Sequence, residues 1–479
     1  MNKTKILILA TEMSPFASSG GLGEVIGSLP KSLHEKDIDV RIVLPKHKSI
    51  SEEHFSDLNK PICLHINLGH MNKDVKVYTK KYCGFTVYFI ENSEYSNRDS
   101  LYGYPDDFER YAFFSKAALE ILPSIDFKPD LIHLNDWQTA LCPVYLDRYF
   151  SKFTFYKDIK TLITIHNIQY QGIYSPSVLE KIGLDYSYFT IDKLEYFGNI
   201  NLLKGGLLYS NAISTVSPTY AKEIQSSDFA YGLEGILQQR KADITGILNG
   251  VKIIDKNEIF DQNFEDILAK KKETKSKLQK QLGLEVRDDV PMIAVISRLV
   301  SQKGLSLINH EFFERDIQLV ILGTGEGGFE NYFRNIHEMM PEKVSANIFY
   351  KPDFANDLYL ASDLFLMPSL FEPCGLGQIF ALEHGTIPIV RSTGGLKDTI
   401  SHYDVNTQKG NGFVFEHYLS SGLLWALDEA IILYKDKRHW NLLMQNALNS
   451  NFSWDKSSDK YIELYNKIIN VENKVKPEL

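Results

Sequence analysis

Short apolar runs recur along the first half of the chain, and each is followed by a segment with helical spacing. Most of these runs are almost continuously apolar and do not alternate with polar residues. This pattern is typical of strands that are buried on both faces, as in a parallel sheet. The runs predict strands at residues 5–10, 40–44, 87–90, 131–133, 161–165 and 212–216.

A polar, lysine-rich segment, residues 255–281, interrupts this pattern. We interpret it as a solvated helix with i,i+4 ion pairs, which also marks the passage to a second unit. The alternation then resumes and predicts an α/β fold with two doubly wound, Rossmann-like domains. Ligands bind beyond the carboxyl ends of strands in such sheets, so we expect the site in the interdomain cleft. The further predicted strands lie at residues 292–296, 318–322, 348–350, 364–367, 387–390 and 413–415.

Composition limits the classes of protein to which this chain can belong. The 479 residues are 44 % hydrophobic and 24 % charged, as in globular proteins, and the formal charge of −9 argues against nucleic acid as a main partner. No apolar stretch is long enough to span a membrane. The four cysteines show no CxxC spacing, which favours a reducing cytoplasm. The oligomeric state stays open.

The loop ASSGGLGEV follows the first predicted strand. Its paired glycines allow two interpretations: tight loop geometry, or backbone N–H groups at a helix N-terminus that face an anion or a sugar. The loop is not a GxGxxG motif and lacks an acidic ribose partner, so it is a poor fit for NAD. No Lys or Arg lies in the loop, so positive charge for an anion must come from elsewhere.

Polar residues follow two other predicted strands of the first half. Asp136, in LNDWQTA, is either a helix cap or part of a site. His166 follows TLITI, where a histidine is more often a packed, hydrogen-bonded group than a catalytic base. The polar cluster His-Asn-x-Gln at this point favours a site.

The second half places two cations and one acid after its strands. Arg298 and Lys303 are either surface cations or a clamp on a diphosphate, since both could reach one anion across a turn. Glu372 lies in PSLFEPCGLGQ beside the N–H groups of residues 375–377, which would suit phosphate and sugar hydroxyls. No motif for a metal, a Walker site or a GxSxG elbow occurs.

Taken together, these segments resemble bacterial glycogen synthases and plant starch synthases. The resemblance covers almost the whole chain in the right order. It includes TEMSPFASSGGLGEVIGSLPKSL, HLNDWQTAL, TIHNIQYQGIY, YGLEGIL, ILNGV, SRLVSQKGL, FLMPSLFEPCGLGQ and IPIVRSTGGLKDTI.

The resemblance implies a GT-B type glycosyltransferase that needs no cofactor. It implies transfer of glucose from a nucleotide-diphosphate glucose, with ADP-glucose favoured, to the non-reducing end of an α-1,4-glucan, with retention of configuration. This fits the residues, because a nucleoside diphosphate leaves as a stabilised anion. Cations and helix N-termini can then replace the general acid that a glycosidase needs.

By the same resemblance, Arg298 and Lys303 stabilise the departing diphosphate and Glu372 holds the donor glucose. The backbone carbonyl of His166 steadies positive charge at the reacting centre. Asp136 and Asn249 contact the sugar, Tyr350 stacks near the base, and Cys374 lies near the donor without assigned chemistry. The implied substrate-binding and donor-binding residues are Ser18, Gly20, Gly21, Glu24, Asp136, Asn249, Gln302, Tyr350, Cys374, Gly375, Leu376 and Gly377.

Some positions depart from the family's usual residues. Ser18 stands where lysine is expected before the first glycine pair, so a donor-binding cation is missing. Glu24 replaces a commoner Asp, Gly377 replaces a usual Thr, and Lys252 replaces an Asp. Asn356 stands where an amide or His is common.

The expected domains are an acceptor-side domain at residues 1–250, a nucleotide-sugar domain at 251–455, and a C-terminal helix at 456–479 that crosses back to the first domain. Alternative functions are a transferase that uses UDP-glucose or another acceptor, and an inactive glucan-binding paralogue. A glycogen phosphorylase is disfavoured, because that class is much longer and needs a pyridoxal-phosphate lysine.

Overall fold

The computed structural model describes residues 3–55, 60–251 and 263–470. The chain divides into two compact units. Unit 1 comprises Met1–Val216, Ala221–Gly250 and Trp454–Leu479, and unit 2 comprises Ser217–Tyr220 and Val251–Ser453. The predicted domain ranges, the lysine-rich segment and Lys252 fall partly or wholly on residues 252–262 and 471–479, which lie outside the described residues.

Unit 1 is built on a nine-stranded sheet with the order β12-β11-β7-β6-β1-β2-β5-β4-β3. Its strands are β1 Lys5–Leu9, β2 Asp39–Pro45, β3 Ile62–Leu68, β4 Met71–Tyr82, β5 Phe85–Glu91, β6 Leu131–Asn135, β7 Lys160–Ile165, β11 Ala212–Thr215 and β12 Ile244–Gly246. A separate antiparallel sheet consists of β8 Ile173–Tyr174, β9 Glu195–Tyr196 and β10 Asn199–Asn201.

Most of the large sheet is parallel, as the continuous apolar runs predict. Strand β1 pairs in parallel with β2 and β6, and β7 pairs in parallel with β6 and β11. The hairpin β3–β4 is antiparallel and was missed by the sequence pattern. Its buried residues alternate with exposed ones, because only one face of this edge is covered.

Unit 2 contains a six-stranded parallel sheet with the order β15-β14-β13-β16-β17-β18. One predicted strand, at residues 348–350, is wrong. The strand β15, Val344–Asn347, ends before residue 348, and Phe349 and Tyr350 are exposed. The strands of this sheet are β13 Met292–Ile296, β14 Gln318–Leu322, β15 Val344–Asn347, β16 Leu364–Met367, β17 Ile387–Arg391 and β18 Phe413–Phe415.

Helices connect the parallel strands and cover the sheets. Helix α1 buries the apolar stripe that its sequence predicts: Leu22, Val25, Ile26, Leu29 and Leu33. The described α-helices are α1 Gly21–Glu35, α2 Ser93–Ser96, α3 Asp107–Ser124, α4 Leu141–Tyr145, α5 Leu202–Tyr209, α6 Pro218–Glu223, α7 Glu234–Gln239, α8 Phe264–Leu282, α9 Gly327–Met339, α10 Pro352–Ala361, α11 Gly377–Glu383, α12 Gly394–Thr399, α13 Ser420–Lys435, α14 Lys437–Leu448 and α15 Trp454–Asn470.

The lysine-rich helix α8 corrects the prediction of a solvated helix. Lys271 and Lys275 are buried one turn apart, on the face of the helix that packs against the rest of unit 2. The Nζ atom of Lys271 donates to the carbonyl oxygens of Leu360, Ser362 and His384 and to Thr386 Oγ1. The Nζ atom of Lys275 donates to the Val290 carbonyl oxygen and pairs with Asp363 at 2.7 Å. The aliphatic stems of both lysines are thus buried while their polar ends have partners.

The last described helix, α15, belongs to unit 1. Its side chains Tyr461 and Tyr465 are fully buried in the unit 1 core. Tyr465 Oη lies 2.8 Å from His133 Nδ1 on β6, and Ser458 Oγ lies 2.8 Å from Ser32 Oγ on α1. Among the described residues, no helix is both long and apolar enough to cross a bilayer.

Candidate active site

The acid and one of the cations predicted in unit 2 form an ion pair. Lys303 Nζ donates to Glu372 Oε2 at 2.6 Å, and Ser369 Oγ donates to the same oxygen at 3.1 Å. Glu372 is buried, and the lysine side chain is only 17 % exposed. Because the charge of each residue neutralises the other, a carboxylate can be kept in a largely dry site.

Two short segments carry this pair, and they are tied together. Lys303 ends a 3-10 turn, Ser301–Lys303, that follows β13, and Glu372 lies in the loop after β16. The Gln302 amide donates to the Phe371 carbonyl at 3.2 Å, and the Gln302 carbonyl accepts from the Leu370 N–H at 2.9 Å. Gln302, which the resemblance implies as a donor ligand, therefore also joins the two loops.

Two glycines allow the loops around Glu372 to approach closely. A Cβ atom on Gly304 would lie 2.0 Å from the Pro368 carbonyl oxygen, and one on Gly394 would lie 1.9 Å from the Glu372 carbonyl oxygen. Both have positive φ, at +68° and +44°. The Gly395 N–H also donates to the Glu372 carbonyl at 3.1 Å. The STGG segment thus supports the main chain of the acid.

Arg391, at the end of β17, holds the same loop from another side. Its Nε donates to the Ser369 carbonyl at 2.8 Å, and its Nη2 donates to the Leu370 carbonyl. Arg391 is buried and was not singled out from the sequence. A buried arginine at the end of a strand requires acceptors, but nothing in the sequence indicates that the carbonyls of Ser369 and Leu370 supply them.

The turn at residues 373–377 leads into α11. Gly375 has φ +70°, and Gly377 is the first residue of the helix, with Leu376 before it. The buried Gln378 donates from Nε2 to the carbonyls of Cys374 and Gly375 at 3.1 and 3.0 Å. The carbonyls of this turn are therefore directed at Gln378. Cys374 is buried.

The other predicted residues of unit 2 are exposed. The Arg298 side chain is exposed, and among the described residues it makes no hydrogen bond or ion pair. Tyr350, expected near the base, follows β15 and is 66 % exposed. Both have room to contact a ligand, and neither is held in place as Glu372 is.

A second cluster, in unit 1, contains Asp136 and His166 at the ends of β6 and β7. Asp136 Oδ1 accepts from the His166 N–H at 2.7 Å, and Asp136 itself has φ +56°. The carboxylate does not cap the turn that follows it, so the alternative of a helix cap is excluded. Burial raises the pKa of Asp136 to about 7, although the N–H groups of His166 and Asn167 oppose this shift.

The His166 ring is neutral and has a defined orientation. Burial lowers its pKa to about 4. Its Nε2 lies 2.9 Å from Asn135 Oδ1, and the Asn135 Nδ2 donates to the Leu9 carbonyl at 2.9 Å. Because the Asn135 oxygen then faces the ring, Nε2 carries the proton and Nδ1 is the ring's acceptor atom.

The glycine loop before α1 is open. Gly20 is extended, with φ −176°, and a Cβ on Gly20 or Gly21 would meet nothing within 4 Å. Tight loop geometry therefore does not explain this pair. Ser18 Oγ donates to the Gly20 carbonyl at 3.3 Å and lies over Gly23. The backbone near Gly20 and Gly21 is free for a ligand to approach.

A buried acid that the sequence analysis did not single out closes the same loop. Glu12 accepts from the Ser19 N–H at 2.5 Å, from Ser19 Oγ at 2.8 Å and from Tyr102 Oη at 2.7 Å. Its signal was its position three residues after the end of β1, since ligands of parallel sheets bind beyond the carboxyl ends of strands. Glu24, in the first turn of α1, accepts from Ser14 Oγ at 2.7 Å.

Asn249 lies in the segment by which the chain leaves unit 1. It is buried, and its Oδ1 atom has no hydrogen-bond partner among the described residues. The structure thus groups the predicted residues into a unit 1 cluster and a unit 2 cluster, each at strand ends.

The two α/β units and the strand-end clusters are those of a glycosyltransferase with the GT-B fold. Residues 276–441 match the family described as "Glycosyl transferases group 1". A sucrose-phosphate synthase from Thermosynechococcus elongatus has a similar fold, with a TM-score of 0.62 at 16 % identity, over 98 % of this chain and 100 % of that chain. The predicted fold class is confirmed.

The chain belongs to the glycogen and starch synthase family of glucosyltransferases. Residues 5–239 match the family described as "Starch synthase catalytic domain". The glycogen synthase of Desulforamulus reducens is 44 % identical and that of Thermotoga maritima 42 %, each over 97 % of this chain and 99 % of the relative. The catalytic domain of starch synthase IV from Arabidopsis thaliana, solved with ADP and acarbose, has a TM-score of 0.89 at 33 % identity, over 98 % of this chain and 100 % of that one.

Proposed function

We propose that this protein transfers glucose from ADP-glucose to the non-reducing end of an α-1,4-glucan, with retention of configuration. The observation that carries the proposal is the Lys303–Glu372 pair, a buried cation and acid at a strand end beside the turn 373–377. ADP is favoured as the nucleotide because the related starch synthase IV was solved with ADP bound.

In this proposal Glu372 accepts hydrogen bonds from the donor glucose. Lys303 and Arg298 take up the charge of the departing diphosphate. The N–H groups around Gly375, Leu376 and Gly377 face the sugar or the phosphates. The leaving group is already a stabilised anion, so fixed cations and N–H groups lower the barrier without a general acid.

In this proposal the residues of the unit 1 cluster contact the glucose that is transferred. The neutral ring of His166 does not repel positive charge that develops on the anomeric carbon, and its carbonyl oxygen can stabilise that charge. Asp136 and Asn249 accept hydrogen bonds from sugar hydroxyls, and the open backbone at Gly20 and Gly21 lies against the donor. Tyr350 stacks on the base, while Cys374 packs near the donor.

The test measures elongation of glycogen from ADP-glucose and from UDP-glucose. We expect incorporation by the wild type with a preference for ADP-glucose, and a loss in kcat of about a hundredfold or more for Glu372→Gln and Lys303→Ala. The matched controls are Glu273→Gln and Lys270→Ala, which break an exposed ion pair on α8 and should leave kcat unchanged.

The possible outcomes separate the alternatives. Incorporation from UDP-glucose alone would show that the donor is UDP-glucose and that the proposed ADP-glucose is wrong. Donor binding by calorimetry without incorporation would favour an inactive paralogue. We retain this alternative because position 18 is a serine where the family usually has lysine. Methylation analysis and the anomeric configuration of the product would test linkage and retention.

We also propose a cytoplasmic location. Cys63 and Cys83 are exposed and Cys142 is buried, and these three cysteines form no disulfide in the structure. Free thiols at two exposed positions suit a reducing compartment. A thiol titration of freshly prepared protein, with four thiols reacting after denaturation, is the expected result.

A further inference from the structure

Unit 1 exposes a group of aromatic side chains that the proposed chemistry does not use. The hairpin of β9 and β10 carries Phe197 at its tip, and this ring is 79 % exposed. Tyr231 and Tyr170 are 41 % and 50 % exposed. We name Tyr170, Tyr196, Phe197 and Tyr231 the aromatic strip.

The backbone gives no reason for aromatic residues at two of these positions. Phe197 and Tyr231 have φ of +47° and +49°, in the left-handed region where bulky side chains are disfavoured and Gly or Asn is expected. Strained residues of this kind concentrate at functional positions. The two rings are therefore kept in spite of their local conformation.

The members of the strip are bonded to one another. Tyr196 Oη donates to the Tyr231 carbonyl, and the rings of Tyr196 and Phe197 meet edge to face with centroids 4.7 Å apart. Gly232 lies beneath this pair, since a Cβ there would be 2.3 Å from Tyr196 Oη. The Tyr170 phenol is near enough to Tyr231 to raise its pKa, after the larger effect of burial.

The strip is continuous with the loop that carries His166. Gln171 Nε2 donates to the Tyr231 carbonyl at 3.1 Å and to the Ile168 carbonyl at 3.0 Å. Tyr170 lies in the same loop, and its N–H donates to the Asn167 carbonyl at 3.2 Å. A chain bound on the strip would therefore extend from the loop of the unit 1 cluster.

The charge around the strip selects the ligand. Glu195 accepts from the Gly198 N–H at 2.9 Å, and the carboxylate of Glu234 raises the pKa of Tyr196 after burial does. These acids would repel nucleotides and other anions. A neutral sugar chain offers apolar C–H faces for flat rings and hydroxyls for phenols and carboxylates. Four side chains are too few for a stable interface with a second protein copy, which needs about 20 residues a side.

We propose that the aromatic strip binds an α-1,4-glucan chain and leads it away from the His166 loop. This rests on the proposed function for the identity of the glucan, and it adds a subsite on the surface of unit 1. The strip would hold a long acceptor through several glucose residues between rounds of transfer, because stacking contacts sum along a chain.

The experiment measures retardation of the protein in native gels that contain glycogen, without any nucleotide sugar. The variant is Phe197→Asn, because asparagine removes the ring and suits the left-handed backbone. We expect its glycogen affinity to fall about fivefold and its unfolding temperature to stay at or above the wild-type value. The control Phe153→Asn removes another exposed ring of unit 1, outside the strip, and should bind as the wild type does.

Equal retardation of Phe197→Asn and the wild type would overturn the proposal. A change in oligomeric state by sedimentation with unchanged glycogen affinity would overturn it in favour of an interface between copies. Because no donor is present, weaker binding by Phe197→Asn supports the strip even if the donor assay fails. In turnover, the KM for glycogen should rise while the KM for the nucleotide sugar stays the same.

Discussion

Two of the Gly-Gly pairs that lie between a strand and a helix in this protein have opposite surroundings. Gly394 and Gly395 lie against the main chain of Glu372 and Cys374, where a Cβ would overlap backbone atoms. Gly20 and Gly21 lie at the start of α1 with empty space where their side chains would be. The first pair serves packing inside the protein, and the second leaves room for something outside it.

The two clusters differ in the same way. In unit 2 the buried acid Glu372 is held by a cation, a hydroxyl and two supporting loops. In unit 1 the loop before α1 is held by Glu12, by Ser18 Oγ and by main-chain hydrogen bonds, and no cation lies in it. Preorganisation is thus built around the acid, while the glycine loop stays open on its ligand side.

Gly394→Ala should have the largest effect on this comparison. A methyl group 1.9 Å from the Glu372 carbonyl oxygen must displace one of the loops, at a cost of about 2 kcal/mol in the free energy of unfolding. Activity should fall as well, because Glu372 moves. Denaturant unfolding and glycogen elongation measure the two effects.

The control is Gly328→Ala, which adds a methyl group at an open position of α9. It should leave both quantities near the wild-type values. If Gly394→Ala unfolds with the wild type, the close approach of the loops does not support Glu372.

Asp136→Asn extends the comparison to the acid of unit 1. Folding raises the pKa of Asp136 from 3.8 to about 7, so between these values the folded protein holds a proton that the unfolded chain has released. This group's contribution to stability therefore falls as pH rises through that window. The asparagine variant, which cannot titrate, should gain stability relative to the wild type from pH 4 to pH 7 and level off above.

Thermal unfolding across that range measures the difference between the two proteins. Buried histidines with lowered pKa, such as His133 and His166, contribute in the opposite direction, but they are common to both proteins and cancel. A flat difference for Asp136→Asn would show that Asp136 ionises in its ordinary range.

Gly20→Ala should separate ligand binding from stability. The added methyl group meets no atom within 4 Å and the extended backbone accepts it, so the unfolding temperature should not change. If the proposed donor position is right, the KM for ADP-glucose should rise about fivefold, because the methyl group would occupy space that the proposal assigns to the donor. An unchanged KM would mean that the open space at Gly20 is not a ligand surface.

Ser18→Lys should produce the smallest effect. Ser18 lies over Gly23, and a lysine stem must leave that position to reach solvent or a phosphate. We expect the KM for ADP-glucose to fall about threefold, as for one partly exposed charge contact. Ser18→Ala, which removes only the bond to the Gly20 carbonyl, is the control, and an unchanged or higher KM for the lysine variant would argue against a lost phosphate contact.

The parallel strands were predictable because they are buried on both faces and read as continuous apolar runs. The strand at Val344–Asn347 was misplaced because two of its four residues are polar, whereas the apolar residues that follow it are exposed. The face of α8 was misjudged because Lys271 and Lys275 are buried through their stems, which hydrophobic patterns do not register.

The site was predicted in part. Strand ends and family motifs indicated Glu372, Lys303, Asp136 and His166, whose contacts the structure shows. The supporting groups were not indicated, because Arg391 acts through two carbonyl oxygens that are distant in sequence. Contacts of this kind depend on tertiary structure, and spacing along the chain does not reveal them.

Helix α15 has a consequence for how the protein is made. Residues 454–470 leave the ribosome after all of unit 2, yet their tyrosines complete the core of unit 1, whose other residues are made much earlier. Unit 2 is complete once Ser453 has been made and can therefore fold before helix α15 emerges, whereas unit 1 cannot complete its core until residues 454–470 have left the ribosome. Nascent chains stalled before Trp454 should expose an unfinished N-terminal unit to chaperones.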